Sequence, residues 1–152
     1  MSDFTNHLGL VELDGPDGRP APTGDGRMQW IPAGPPFLSY QVRDELSGES
    51  ITIPGGEWGF HTDLGSIPQA AWSFGFPPDG IGAKAYVIHD FLCATLGTGI
   101  WRGQKWTTRR APYSSHEAAD VLYEALQVCG VDEHHARLIR EAVNLGGPKF
   151  GP

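Results

Sequence analysis

The run Ala85-Tyr86-Val87-Ile88-His89-Asp90-Phe91-Leu92 constrains this chain more than any other feature. Its spacing predicts a helix from Ala83 to about Leu96, with Gly97 as the stop. Core-type residues surround two ionisable side chains in it. Burying such groups costs several kcal/mol unless they are paired, hydrogen-bonded or metal-bound. The plainer reading is a helix whose polar edge carries both residues, with His89 a satisfied core histidine. An adjacent His and Asp inside an apolar helix points instead to a site, because perturbed ionisable groups concentrate there.

The 152 residues suit one domain with a real core. A formal net charge of −7 argues against a protein that grips nucleic acid through its overall field. Cations gather locally at Arg102, Lys105, Arg109 and Arg110, around Trp101 and Trp106. A solvated loop is the plain reading of that cluster, and an anionic partner the sharper one. Two cysteines, Cys93 and Cys129, make no disulfide framework. No run resembles a signal peptide or a membrane span, so the expected location is a reducing cytoplasm, unless the chain leaves by lysis or inside a particle.

Composition divides the chain into a Gly/Pro-rich N-terminal arm (1–27), one α+β domain (28–147) and a short tail (148–152). The arm has few large apolar residues and is expected to be extended or irregular. Trp30-Ile31, Phe37 to Val42 and Ile51 to Ile53 alternate or cluster as short strands, bounded by Pro and Gly, and predict a small antiparallel meander. Ser114 and Glu117 have capping-box spacing before a helix with Ala118, Leu122, Ala125 and Leu126 on its core side. Gly130 ends that helix. Asp132 caps a third helix carrying Ala136, Ile139 and Val143, closed by Gly146-Gly147. The expected fold is therefore a meander followed by three helices, two of them antiparallel around the His89-Asp90/Asp120 cluster.

Asp120 interrupts the second helix beside His116, Tyr123 and Glu124. On an antiparallel partner helix it could reach His89, fix the imidazole tautomer and raise its basicity. An ordinary surface aspartate is the alternative. Asp63 lies in His61-Thr62-Asp63-Leu64-Gly65-Ser66, a glycine-bearing loop able to aim carbonyls and a carboxylate at a hard cation. An N-cap or Asx-turn serves equally well. His61 could join a softer metal site. Gly-rich phosphate loops and zinc-peptidase or serine-hydrolase motifs are missing.

The order of these motifs resembles a small phage- and prophage-borne domain of unknown function. The resemblance runs through Ile51-Thr52-Ile53-Pro54-Gly55-Gly56, Thr62 to Pro68, Ala85 to Leu92, Ala119-Asp120 and Gly130-Val131, and spans roughly Phe37 to Gly147. Gly65, Cys93 and His116 stand where that family usually has Ala, Tyr and Arg. At the level of the site, Asp63-Leu64-Gly65-Ser66, His89-Asp90 and Asp120 also follow the order seen in bacterial and fungal phospholipase A2. That resemblance implies His89 as general base, Asp90 as a calcium ligand with the Gly65 loop, and Asp120 as the orienting carboxylate. The chain lacks the disulfide cysteines of those enzymes.

Two functions are thus expected, the enzyme leading and a structural protein as the alternative. One is a metal-assisted hydrolase of a lipid ester or cell-wall bond, with His89 and Asp120 catalytic and Asp90, Asp63 and Gly65 holding a divalent cation, calcium first. His61, Ser66, His116 and Tyr123 would be accessories. The other is a non-enzymatic tail or virion protein in which the same residues form a buried polar network. In that case the arm and the Trp101–Trp106 loop would meet virion partners, with nucleic acid the least favoured one.

Overall fold

Helix α1 spans Ala83–Ala94, and its residues Ala85 to His89 and Phe91 to Cys93 are all buried. A helix apolar on nearly every side must be covered from nearly every side, and the rest of the fold does this. The computed structural model describes residues 3–5, 10–12, 30–32, 38–42, 49–55, 58, 60 and 82–151. Within them the chain is α+β, as the sequence implies. Strands β1 (Asp3–Thr5), β4 (Ser39–Gln41) and β5 (Ser50–Thr52) form an antiparallel sheet in the order β1-β4-β5, and β2 (Leu10–Glu12) pairs with β3 (Trp30–Pro32). After α1 come the hairpin β6 (Ile100–Trp101) and β7 (Gln104–Lys105), then α2 (Ser115–Val128) and α3 (Glu133–Gly146).

Two parts of this arrangement differ from the sequence expectation. The N-terminal arm supplies β1, whose Phe4 ring lies 4.7 Å from Tyr40, so residues 3–5 belong to the sheet. An edge strand is held by backbone hydrogen bonds and needs little apolar content of its own, which is why composition missed it. The connection from Gly97 to Pro112 is likewise no free loop. Thr52 N donates to Trp106 O (2.9 Å) and Thr108 N to Ser50 O (3.1 Å), so the chain leaving β7 lines the open edge of β5. Arg102 (φ +51°) and Gly103 (φ +78°) form the two left-handed positions of a type I′ hairpin turn.

The helix ends follow local chemistry. Ser114 Oγ accepts from Glu117 N (3.1 Å) while Glu117 Oε1 accepts from Ser114 N (3.1 Å), completing the capping box. Asp132 accepts from His135 N at the start of α3. The tail returns to this region, where Ser115 N donates to Phe150 O (2.8 Å). Helix α2 closes in a Schellman motif: Val131 N reaches Leu126 O, Gly130 N reaches Gln127 O, and Gly130 takes φ +105°. Helix α1 closes by the same pair of bonds, Gly97 N to Leu92 O and Leu96 N to Cys93 O, but its left-handed residue is Leu96 (φ +52°). Helix α1 packs on α2, and α2 on α3. The core joins them to Tyr40, Ile51, Ile53 and Phe60.

Gly97 (φ +82°) carries the tightest constraint, since a Cβ there would sit 1.8 Å from Tyr113 O. Gly97→Ala is expected to cost about 3 kcal/mol or more in urea denaturation. Leu96→Gly should instead stabilise by up to about 1 kcal/mol, because the left-handed conformation then carries no Cβ penalty.

Candidate functional site

His89 lies in the middle of α1 and is 1% exposed. Burial pushes its imidazole down to about 4, so the ring is neutral at neutral pH. Its polar neighbour is Cys93, one turn on, with Sγ 3.8 Å from Nδ1 and 3.7 Å from Nε2. Hydrogen bonds to the two ring nitrogens run in the ring plane along diverging directions, so one atom cannot serve both. An in-plane sulfur equally distant from both at this range would overlap Cε1. The thiol therefore stands over the imidazole face as a sulfur–π packing contact.

The companions predicted for His89 are distributed differently. Asp90 is partly exposed and shares the narrow outer edge of α1 with Ala83 and Ala94. Asp120 does not meet His89. Its side chain is 67% exposed, and its carboxylate accepts from Arg140 of α3 at 3.3 Å. The reason is helical phase: Ala118, Ala119, Leu122, Ala125 and Leu126 form the buried face of α2, and residue 120 falls opposite it. His116 is exposed on the same outer side. Tyr123 is half-buried, donates to Glu133 (3.3 Å) and lies under the Arg140 guanidinium at 4.1 Å. Arg140 thus clasps α2 to α3 through Asp120 and Tyr123. His61, Asp63, Gly65 and Ser66 lie outside the described residues.

Polar groups that sequence reasoning missed sit between the sheet and α2. The Tyr40 hydroxyl donates to Glu124 (2.6 Å), and the Tyr113 hydroxyl to Glu49 (3.1 Å). Burial, with Glu49 beside it, pushes the Tyr113 phenol well above its usual range. Arg109 lies over the Tyr113 ring at 4.5 Å and pairs with Glu117 at 2.6 Å. The two tyrosine hydrogen bonds span 84 and 64 residues, so no local pattern announces them. Among the described residues, no group of three metal-ligating side chains comes together.

The Trp101 and Trp106 rings also turn inward. Trp101 Nε1 donates to Trp58 O (2.7 Å), and its ring meets Phe60 edge-on at 5.3 Å. Phe60 in turn meets Phe91 of α1 edge-on at 5.4 Å. Trp106 packs edge-on against Trp58 at 5.2 Å. These aromatics anchor the hairpin to the core, leaving its cations outside.

A family model described as a protein of unknown function, DUF1353, matches residues 38–143. The chain belongs to the DUF1353 family. No curated protein and no solved structure matches it. In this DUF1353 domain the family match takes in α1, the hairpin, α2 and most of α3, so the environment of His89 and the outward Asp120 both belong to the shared domain.

The buried imidazole predicts a pH dependence. Its folded pKa, about 4, lies below the ordinary histidine value of 6.5, so the unfolded chain binds more protons between them. His89 should leave stability undiminished above about pH 6.5 and remove up to ~3 kcal/mol as pH falls toward 4. Denaturation of His89→Leu across this range should show a flatter acid limb than the parent protein. An unchanged limb would contradict the assignment.

Proposed function

We propose that this DUF1353 domain is a non-enzymatic structural or accessory module, of the kind carried by a phage particle, and that His89 serves it as a buried packing residue. The observation that carries this reading is the separation of His89 from Asp120. The imidazole is sealed in the core against a thiol, while Asp120 faces solvent and clasps α3 through Arg140. A general base works best with a pKa near the operating pH and a group behind it to orient it. His89 sits near 4, and its polar side-chain contact among the described residues is the Cys93 sulfur. The phage assignment rests on the motif order from Ile51 to Val131 and carries with it a location in the host cytoplasm or the virion. No helix among the described residues is long and apolar enough to cross a membrane.

One observation favours a hydrolase as the second reading. Asp90, next to His89 in the chain, reaches the outer edge of α1, where a divalent cation with loop carbonyls could meet it. Calorimetric titration of metal-free protein with calcium, magnesium and zinc, alongside Asp90→Asn, separates the two. The structural reading predicts no saturable binding, no hydrolysis of phospholipid vesicles or cell-wall sacculi, and at most a lowered melting temperature in the variant. Saturable binding lost in Asp90→Asn, with hydrolysis that depends on His89, would establish the enzyme.

A further inference from the structure

Three unusual features converge on the segment from Leu96 to Arg110. The first is backbone strain: Leu96 and Arg102 are the non-glycine residues with left-handed φ among the described residues. Such conformations cost free energy and persist where something else is gained. The second is exposed apolar surface, with Leu96 64% and Ile100 52% exposed. The third is uncompensated charge. Arg109 is engaged by Glu117, but Arg102, Lys105 and Arg110 are exposed and, among the described residues, no carboxylate pairs with them. Lys105 Nζ donates to Arg110 O (3.3 Å), which holds two of these positions together.

The strand register sorts the hairpin into two faces. Ile100 pairs with Lys105, and Trp101 with Gln104, so each pair shares a side. Trp101 faces Phe60 and the core, which leaves Ile100 and Lys105 on the outer face beside the Arg102 turn. The ribbon therefore presents an exposed isoleucine beside cations, on a molecule whose net charge is −7. Arginine is enriched at protein–protein contacts, whose buried centre is more apolar than their rim.

We propose that the outer face of the β6–β7 hairpin docks onto an acidic protein surface, with Ile100 and Leu96 entering an apolar recess and Arg102, Lys105 and Arg110 meeting carboxylates around it. The proposal rests on the structural-module reading and names the chemistry of its partner. Charge complementarity selects that partner. A nucleic acid would match the cations but offers no recess for the aliphatic residues. An anionic membrane would gain little from two aliphatic side chains, because membrane binding scales with the apolar area inserted.

Surface-immobilised acidic polypeptides test this with the intact chain. Binding to a glutamate–tyrosine copolymer should be saturable, weaken as salt rises, and exceed binding to polyglutamate. The charge reversals Arg102→Glu, Lys105→Glu and Arg110→Glu together should weaken it by about tenfold or more. Reversing Lys84, Arg137 and Lys149, an equal change in net charge outside the hairpin, should leave it within about twofold. Ile100→Ser should erase the preference for the copolymer, with its thermal melt confirming the fold. Equal loss in both triple variants, no copolymer binding at low salt, or tighter binding to duplex DNA or phosphatidylglycerol vesicles would overturn the proposal. Calcium binding through Asp90 reports on the underlying reading separately, since these variants leave Asp90 in place.

Discussion

Helix α1 has almost no solvent face, and covering it dictates where the other elements go. Its twelve residues, Ala83–Ala94, bury tyrosine, valine, isoleucine, phenylalanine and leucine side chains around the axis. Helix α2 takes one side, and Phe60, backed by Trp101 of the hairpin, takes another through Phe91. The end of the helix is fixed just as firmly, because Gly97 lies against the Tyr113 backbone with no room for a side chain. Transferring one such apolar side chain out of water is worth roughly 2 kcal/mol. A helix that buries several of them therefore sets the position of its neighbours rather than being set by them.

The same constraint explains the state of His89. In an envelope this apolar an imidazolium would lose its hydration, and among the described residues no carboxylate meets it, so the ring stays neutral. Asp90, one residue on, turns 100° around the helix to the narrow outer edge and keeps access to water. Two adjacent ionisable residues thus have opposite environments because of helical phase alone. Asp120 follows the same rule on α2, where the small residues Ala118, Ala119 and Ala125 permit close approach to α1 and leave position 120 outward. Its partnership with Arg140 then serves the α2–α3 contact.

What could be read in the sequence was what local chemistry decides. The Ser114/Glu117 capping box, the Asp132 cap, the Gly130 stop and the burial of His89 each follow from a few neighbouring residues. The outward phase of Asp120 was also available, since the apolar residues of α2 define a face that excludes it. Other features had no local sign. Strand β1 pairs with a strand more than thirty residues away, and the Tyr40–Glu124 and Tyr113–Glu49 bonds close over longer distances still. The hairpin was hidden because Arg102 occupies a left-handed position that usually signals itself with Asn or Gly. The inward turn of Trp101 had no local sign either, since it follows from the strand register that leaves Ile100 outward.

The central claim is that His89 is a neutral core residue rather than a base. Long-range 1H–15N NMR of the His89 ring as a function of pH measures this directly. The account predicts a single neutral tautomer from pH 8 down to the acid unfolding limb, unchanged by added calcium. A ring that titrates near or above 6.5 in the folded protein, or that shifts on calcium addition, would contradict it.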